Sequence, residues 1–311
     1  MFSLRLCASA VKYIMSDTLQ RFLFEQANVR GELVQLDASW QAVLERHDYP
    51  AAVREMLGQA MVSATLLAAT MKFRGSITLQ IRGNGPISML IADCSPQHVE
   101  GADNPLYHLR GMANWEGEVG EGDLASRFGD GQLVITVDPG TGSKRYQGIV
   151  DLSGHSLADA IDDYLLRSEQ LPTRMWLAAD AHHAAGLLLQ RLPDSPGDAD
   201  SWRRLGMLAE TLTTPELLEL SADTLLHRLF HEEELRVFDP QPVVFHCHCS
   251  RERLTNALLS IGYDEVMDII REQGKIDATC QFCNRAYHFD AVDAEQIFTT
   301  SHQAALSPTR H

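Results

Sequence analysis

Two closely spaced pairs of cysteines near the C-terminal end contain four of the six cysteines of the chain. The first pair is Cys247-x-Cys249, the second is Cys280-x-x-Cys283, and residues 250–279 separate them. A thiolate is the protein ligand best matched to Zn²⁺, and four thiolates complete a closed tetrahedral structural site. The spacing therefore predicts one zinc ion bound by all four of these cysteines.

Two other arrangements would use the same residues, namely a pair of disulfides or free buried thiols. The sequence shows no feature of a secreted protein, and paired cysteines in a reducing compartment bind metals or take part in redox chemistry more often than they form permanent crosslinks. His246, His248 and His288 flank the cysteines and are alternative ligands. We favour the site with four sulfur ligands, because four thiolates already fill the coordination shell of zinc.

The cysteine arrangement also suits a redox switch. Zinc-bound thiolates are electron-rich, and an oxidant that takes electrons from them releases the metal. A disulfide across one intervening residue closes a very small ring, and its poor geometry makes the bond easier to reduce again. Zinc binding contributes about 10–16 kcal/mol in small metal-dependent domains, much of it as folding free energy. Loss of the ion is therefore expected to unfold this module.

The chain has 311 residues and a formal net charge of −16. This length is enough for about two domains, and the acidic charge argues against a surface that binds nucleic acid. No run of about 18 or more apolar residues appears, so no transmembrane helix is expected. The chain also lacks a nucleotide-binding loop, since neither a lysine nor a helix start follows the Gly83-Asn84-Gly85 turn.

The first 14 residues are basic and carry only two charges, Arg5 and Lys12. Three interpretations stay open: an upstream start or extension ahead of Met15, a short organelle-targeting presequence, or ordinary structure. A secretory signal is disfavoured because Arg5 interrupts the apolar region. Cys7 and Cys94 lie outside the cysteine pairs, and we interpret both as bystanders.

Alternation and helical periodicity along the chain predict an α+β fold. A mainly antiparallel sheet packed with helices is expected first, then a helical linker and a small C-terminal zinc-binding module. The predicted strands are 27–36, a hairpin over 75–91, 101–113, 131–138, 146–152, 174–178, 185–191, the extended segment 238–245, and 287–289. The predicted helices are 38–46, 51–72, 157–167, 201–231 with Pro215 dividing it, 251–260 and 264–272, and residues 18–25 also show helix-like spacing.

Residues 193–200 are rich in proline, glycine and aspartate, and they form the clearest break in the pattern. We place the main domain boundary there. The resulting organisation is an N-terminal extension 1–15, an α+β core domain 16–194, a helical linker 195–245, a zinc-binding module 246–298 and a frayed tail 299–311.

Several short motifs, spread from about Asp17 to Ile297, resemble those of the redox-regulated heat-shock chaperones of about thirty-three kilodaltons. The matching stretches are Arg30-Gly31-Glu32-Leu33-Val34, His47-Asp48-Tyr49-Pro50, Arg145-Tyr146-Gln147-Gly148, Arg167-Ser168-Glu169-Gln170-Leu171-Pro172-Thr173, His231-Glu232-Glu233-Glu234, Cys247-x-Cys249-Ser250-Arg251-Glu252-Arg253 and Cys280-x-x-Cys283. The resemblance covers nearly the whole chain, and the motifs together are highly specific.

The resemblance implies a cytosolic holdase that binds unfolding client proteins without ATP. It implies one Zn²⁺ on the four thiolates of the reduced protein and, on oxidation, the disulfides Cys247–Cys249 and Cys280–Cys283. It also implies a domain-swapped homodimer as the active form, with residues 16–194 as the client-binding and dimerisation domain. No membrane, nucleotide or nucleic-acid partner is implied.

The mechanism we expect is that the zinc-bound module docks on the helical segment 201–231, which covers apolar surface of the sheet domain. Oxidation would unfold the module and then the segment, which would expose that surface. A thiol–disulfide oxidoreductase using Cys280 and Cys283 is the rival enzyme, but no thioredoxin-like βαβ pattern surrounds the pair. A zinc-ribbon nucleic-acid binder is a further alternative, which the acidic charge opposes. A zinc site that only stabilises the fold is the remaining alternative.

Overall fold

A computed structural model describes residues 17–71, 75–98, 101, 104–140, 144–152, 156–192 and 199–306. Contacts along the chain divide it into two compact units, Met1–Phe245 and His246–His311. The predicted extension 1–15, the bystander Cys7 and most of the predicted break at 193–200 lie outside the described residues. Within the described ranges, no helix combines the length and the apolar character needed to cross a bilayer.

The described part of the first unit contains one eleven-stranded sheet. Its strands are β1 Thr18–Phe24, β2 Val29–Leu36, β3 Ser76–Arg82, β4 Ile87–Gln97, β5 Leu106–Trp115, β6 Gln132–Asp138, β7 Tyr146–Asp151, β8 Thr173–Ala179, β9 Ala184–Arg191, β10 Leu235–Val237 and β11 Gln241–Phe245. The strand order is β7-β6-β3-β4-β5-β11-β1-β2-β9-β8, and β10 pairs with β1 beside β11. Every pairing is antiparallel except that of β11 with β5. The predicted mainly antiparallel sheet is therefore confirmed.

Helices cover both faces of this sheet. They are α1 Ala38–Leu44, α2 Ala51–Thr70, α3 Leu124–Phe128, α4 Leu157–Ser168, α5 Ala199–Ala209, α6 Thr214–Glu219 and α7 Ala222–Phe230. Ser156 begins α4 as predicted, since its hydroxyl accepts a hydrogen bond from the Asp159 backbone N–H at 3.1 Å. Pro215 does more than divide a helical stretch: it lies in the first turn of α6, two residues after the capping residue Thr213.

The predicted helix from residue 51 is confirmed as a buried helix. It begins after Pro50, and apolar side chains all around α2 are buried in a cluster with one face of the sheet, here called the first core. Its members include Leu19, Val53, Leu57, Met61, Leu79 and Leu109. Gly111 of β5 allows this close packing, because a Cβ atom there would lie only 2.7 Å from the Met61 sulfur. The sheet and α2 thus form one continuous core that also contains Cys94, which is fully buried.

The opposite face of the sheet is covered by α5, α6 and α7. This second core joins strand and helix side chains, namely Phe22, Phe24, Val29, Leu33, Leu187, Leu189, Leu205, Leu217, Leu218, Leu225, Leu226, Leu229 and Phe230. Successive residues of a strand point to opposite faces. Leu33 accordingly packs in the second core, whereas Val34 packs in the first.

The helix-like spacing at residues 18–25 misled the sequence interpretation, because Thr18–Phe24 is strand β1. Both faces of β1 are covered: Leu19 lies in the first core, whereas Phe22 and Phe24 lie in the second. A strand that is apolar on both faces loses the alternation by which strands are recognised. The spacing of Leu19, Phe22 and Leu23 then imitates a helix.

The second unit contains the helices α8 Arg251–Ile261, α9 Tyr263–Gln273 and α10 Ala291–Leu306 and the hairpin of β12 Ile276–Thr279 with β13 Ala286–Phe289. These helices and the short strand confirm the predicted α8, α9 and β13. The prediction of a frayed tail from residue 299 is wrong up to Leu306, because the backbone is helical to that point. Asp290 and Asp293 exchange backbone-to-carboxylate hydrogen bonds of 3.2 and 2.8 Å and stabilise the start of α10.

The chain divides after Phe245, which is later than the predicted boundary at 193–200. Helices α5–α7 follow that break, but they pack on the same sheet as the residues before it. The predicted extended segment 238–245 likewise contributes β11 to the interior of the sheet. The assignment of residues 16–194 and 195–245 to separate functional domains stays a prediction.

Candidate metal centre

The first cysteine pair lies immediately before α8. Ser250 caps this helix by accepting a hydrogen bond from the Arg253 N–H at 3.2 Å, as its position in the sequence predicts. Arg251, two residues after Cys249, donates to the His288 carbonyl at 2.8 Å and forms an ion pair of 2.7 Å with Asp293. The start of α8 is thereby fixed to β13 and to α10.

The second cysteine pair lies in the turn between β12 and β13. The Cys280 N–H donates to the Arg285 carbonyl at 2.9 Å, and the Asn284 N–H donates to the Cys280 carbonyl at 2.8 Å. Asn284 has a φ of 57°, a left-handed conformation that asparagine tolerates better than most residues. The hydrogen-bonded turn fixes the backbone of Cys280 and Cys283, so their side chains can reach a shared point.

The four sulfur atoms converge in the structure. The Sγ atoms of Cys247 and Cys280 are 3.7 Å apart, and those of Cys249 and Cys283 are 3.2 Å apart. All four lie within 4.8 Å of one another, and all four side chains are half-buried free thiols. Tetrahedral zinc with Zn–S bonds of about 2.3 Å needs sulfur atoms roughly 3.8 Å apart. The residues present therefore fit a metal ion of the zinc type.

Neighbouring donors shift the acidity of these thiols to different extents. Partial burial opposes ionisation of Cys249, but a hydrogen bond of 3.3 Å from the Tyr287 hydroxyl, together with the neighbouring thiols, lowers the pKa of Cys249 to about 7. Burial raises the pKa of Cys247 and raises that of Cys283 to about 12. The lowered pKa of Cys249 favours its thiolate near neutral pH, and the thiolate is the form that binds metals and reacts with oxidants.

The histidines do not join the four-sulfur group. His288 lies on β13, and its Nδ1 atom is 2.5 Å from the Asp277 carboxylate. The rings of His246 and His248 contact each other, with centroids 4.6 Å apart and an angle of 60° between their planes. The described residues that come together around the cluster are thus the four cysteines, with no histidine among them.

Two contributions to this site were not assigned from the sequence. Tyr287 reaches Cys249 because β13 runs back past the first cysteine pair, a neighbourhood that only the fold creates. Arg251 belongs to the first cysteine motif, and its guanidinium also lies 4.3 Å from the centroid of the Phe289 ring. Both residues support the sulfur cluster from outside it.

The surroundings of Cys280 and Cys283 differ from those of a thioredoxin-like redox site. The pair occupies the turn of a two-stranded antiparallel hairpin, whereas a thioredoxin-like motif accompanies a βαβ unit. Cys94 lies apart in the first core, where burial raises the pKa of its thiol. These positions agree with the interpretation of Cys94 as a bystander.

The polar cluster at residues 231–234 forms a charged end of α7. Glu233 pairs with Arg204 of α5 through hydrogen bonds of 2.8 and 3.0 Å, and this contact lowers the pKa of Glu233. His231 and Glu232 are exposed and 4.0 Å apart. The motif therefore joins α5 to the end of α7.

Comparisons with known proteins agree with this fold and this site. The family described as Hsp33 protein matches residues 17–290. The chain is 49% identical to the 33 kDa chaperonin of Nitrosococcus oceani over 295 residues, which are 95% of this chain and 99% of the relative. It is 46% identical to the 33 kDa chaperonin of Methylobacillus flagellatus over 300 residues, or 96% of this chain and 99% of that one.

A solved structure shows the same fold. The crystal structure of the 33 kDa chaperonin of Thermotoga maritima, a heat shock protein 33 homologue, superposes with a TM-score of 0.78. The match has 24% sequence identity and covers 92% of this chain and 99% of that one. Fold and relatives together define the class as heat-shock chaperones. The chain belongs to the Hsp33 family.

Proposed function

We propose that the protein is a redox-regulated, ATP-independent holdase, in which oxidation of a zinc-bound cysteine cluster exposes apolar surface to unfolding proteins. The observation that carries this proposal is the convergence of four thiols, all within 4.8 Å of one another, in a small module. Four thiolates bind zinc tightly in their reduced form and lose it when they are oxidised. Membership of a family of heat-shock chaperones supports the chaperone part of the proposal.

In the reduced state the four cysteines hold the metal. Zinc, when bound, supplies about 10–16 kcal/mol of folding free energy to a module of this kind. Among the described residues of the module, few side chains are fully buried in its core. They are Leu258, Val266, Ile270, Phe289 and Ala294. A core this small seldom stabilises a domain without help from a metal or a crosslink.

On oxidation the thiols are consumed in pairs. Each pair loses two electrons and two protons to form one disulfide, and one molecule of hydrogen peroxide is reduced to two molecules of water. The family resemblance implies Cys247–Cys249 and Cys280–Cys283 as the products. The sulfur contacts of 3.7 and 3.2 Å instead join Cys247 to Cys280 and Cys249 to Cys283. Peptide mapping of the oxidised protein distinguishes the two pairings.

The helices of the second core are suited to respond to unfolding of the module. Their lengths are 11, 6 and 9 residues for α5, α6 and α7, and isolated helices shorter than about 12–15 residues are marginal in water. They are therefore held mainly by packing on the sheet. In this proposal, unfolding of the module is followed by release of these helices, which uncovers apolar side chains such as Phe22, Phe24 and Leu187.

Unfolding client proteins bind the uncovered surface, and the oxidised protein acts as a homodimer. The net charge of −16 helps to keep a species with exposed apolar surface in solution. A cytoplasmic location suits the site, because thiols stay reduced in that compartment until an oxidant arrives.

The test is replacement of Cys280 and Cys283 by serine, with Cys94→Ala as the control that removes a thiol outside the cluster. We expect the double variant to lose its zinc and to suppress aggregation of thermally unfolding citrate synthase with little dependence on peroxide. The control should retain zinc and the full response to peroxide. If the double variant responds to peroxide as the unmodified protein does, the switch lies elsewhere in the chain and the proposal is wrong.

A further inference from the structure

In the described sheet, strand β11 joins two groups of strands, β7-β6-β3-β4-β5 on one side and β1-β2-β9-β8 on the other. Residues Val243–Phe245 run parallel to Tyr107–Leu109 of β5. Gln241 and Pro242 pair with Leu19 and Thr18 of β1 in the antiparallel sense. Because β5 and β1 are joined through β11, withdrawal of this strand would leave both of them with free backbone hydrogen-bonding groups.

Few apolar side chains of β11 are fully buried for a strand in the interior of a sheet. Val243 is its one fully buried apolar side chain, at 1% exposure, whereas Val244 and Phe245 are half-buried. Pro242 has no backbone N–H to donate. The side chain of Gln241 is buried, and its Oε1 atom has no hydrogen-bond partner, which is unfavourable.

The position of β11 in the chain connects it to the cysteine cluster. The strand ends at Phe245, and Cys247 follows two residues later. The other end of the strand follows the connecting segment 238–240, which leads from β10. When the cysteine module is folded, β11 leads within a few residues into an ordered part of the chain. When the module is unfolded, β11 is followed by a flexible chain and can fray from that end.

We propose that β11 is a displaceable strand, and that an extended segment of an unfolding client protein takes its place between β5 and β1. Exposed strand edges recruit extended segments through main-chain hydrogen bonds, and alternate side chains then fill the pockets on one face. The inference rests on the proposed function, since it requires oxidation to unfold the module. It adds a defined binding site to the apolar surface beneath α5–α7.

The side chains of β11 define the client segment that fits. Gln241, Val243 and Phe245 point to the first core, where Val243 lies beside Tyr107, which is itself buried. Pro242 and Val244 point to the other face and are exposed or half-buried. The matching segment is therefore an extended stretch of about five residues. It has an apolar side chain at the central inward position and accepts any side chain at the outward positions. Such stretches are common in unfolding proteins and rare on folded surfaces.

Hydrogen exchange with mass spectrometry tests the displacement in the full-length protein. Three states are compared: reduced, oxidised, and oxidised with thermally unfolding citrate synthase. We expect amides of residues 107–109 and 241–245 to exchange at least roughly tenfold faster after oxidation. Addition of the client should restore protection at 107–109 but leave 241–245 unprotected. If both segments stay protected in the oxidised protein, a β11 strand from this chain or from a second copy keeps the place, and the inference is wrong.

A peptide competition provides a second and independent test. A synthetic peptide spanning residues 239–245 should reduce client holding by the oxidised protein to less than half at a large molar excess. The same peptide with Asp in place of Val243 is the matched control and should have no effect. Equal effects of the two peptides, or none from either, would overturn the inference while aggregation suppression by the oxidised protein still supports the proposed function. Absence of suppression in the oxidised protein without peptide would contradict both.

Discussion

Replacement of Phe289 by alanine tests how closely metal binding is coupled to folding of the module. Phe289 is 1% exposed and lies on β13 opposite Ile276. Its ring packs in the small core with Leu258, Val266 and Ile270. Truncation of a buried phenylalanine to alanine costs about 3–5 kcal/mol, which is a large part of what so small a core contributes.

The size of the effect follows from the linkage between folding and binding. If the metal-free module is unfolded, the whole cost of the substitution appears as lost zinc affinity. Each 1.4 kcal/mol corresponds to a factor of ten, so zinc affinity should fall roughly 100- to 5,000-fold. The zinc-loaded module should still fold, because zinc supplies about 10–16 kcal/mol. The peroxide concentration needed to release zinc should fall as well.

The assay is competition for zinc between the reduced protein and a chromophoric chelator under anaerobic conditions. Val292→Ala is the matched control, since Val292 lies at the start of α10 and is 72% exposed. This control should bind zinc within about twofold of the unmodified protein. If Phe289→Ala also binds zinc with unchanged affinity, the sulfur cluster forms without the folded module, and the reasoning fails.

Three further predictions concern the sulfur cluster, the second core and a buried carboxyl group. Tyr287→Phe removes the hydrogen bond to Cys249. Chelator competition should show zinc affinity reduced roughly tenfold, and stopped-flow measurements should show faster zinc release by peroxide. Tyr263→Phe is the control and should change neither quantity. Leu225→Ala weakens the packing of α7 by about 2–5 kcal/mol, so aggregation assays should show client holding at lower peroxide concentrations. If the peroxide concentration needed for client holding is unchanged, α7 does not take part in the switch. Burial raises the pKa of Glu32 from 4.5 to about 7, so the fold favours its protonated form, and the resulting stability is present below pH 4.5 and lost as the pH rises through 7. As the pH rises from 5 to 8, the free energy of unfolding of Glu32→Gln, measured with urea, should therefore increase by about 2–3 kcal/mol relative to that of the unmodified protein. A difference that stays constant with pH would contradict the raised pKa of Glu32.

The candidate site was predictable because its chemistry is local. The ligands come as two short pairs, and each pair needs only a turn or a helix start to bring its sulfurs together. Helix α2 was predictable for a similar reason, since its apolar side chains surround it on all sides. The hairpin of β3 and β4 was predictable because the Gly83–Pro86 turn separates two alternating runs.

Features that depend on distant parts of the chain were not predictable. β1 is buried on both faces because α5–α7 return to cover it, so its residues lack the alternation of a half-exposed strand. β11 pairs in parallel with β5 from more than a hundred residues away, and five residues give no indication of a partner. The contact of Tyr287 with Cys249 likewise exists only after the hairpin forms beside the first cysteine pair.

The central claim is that loss of the sulfur-bound metal makes the protein bind unfolding client proteins. The most direct measurement follows bound zinc, free thiols and prevention of citrate synthase aggregation in one sample during a peroxide titration. The account predicts one zinc ion per chain at the outset, loss of that ion as four thiols disappear, and protective activity that rises in step with the loss. A reduced chain without zinc, or zinc loss that leaves protection unchanged, would contradict it.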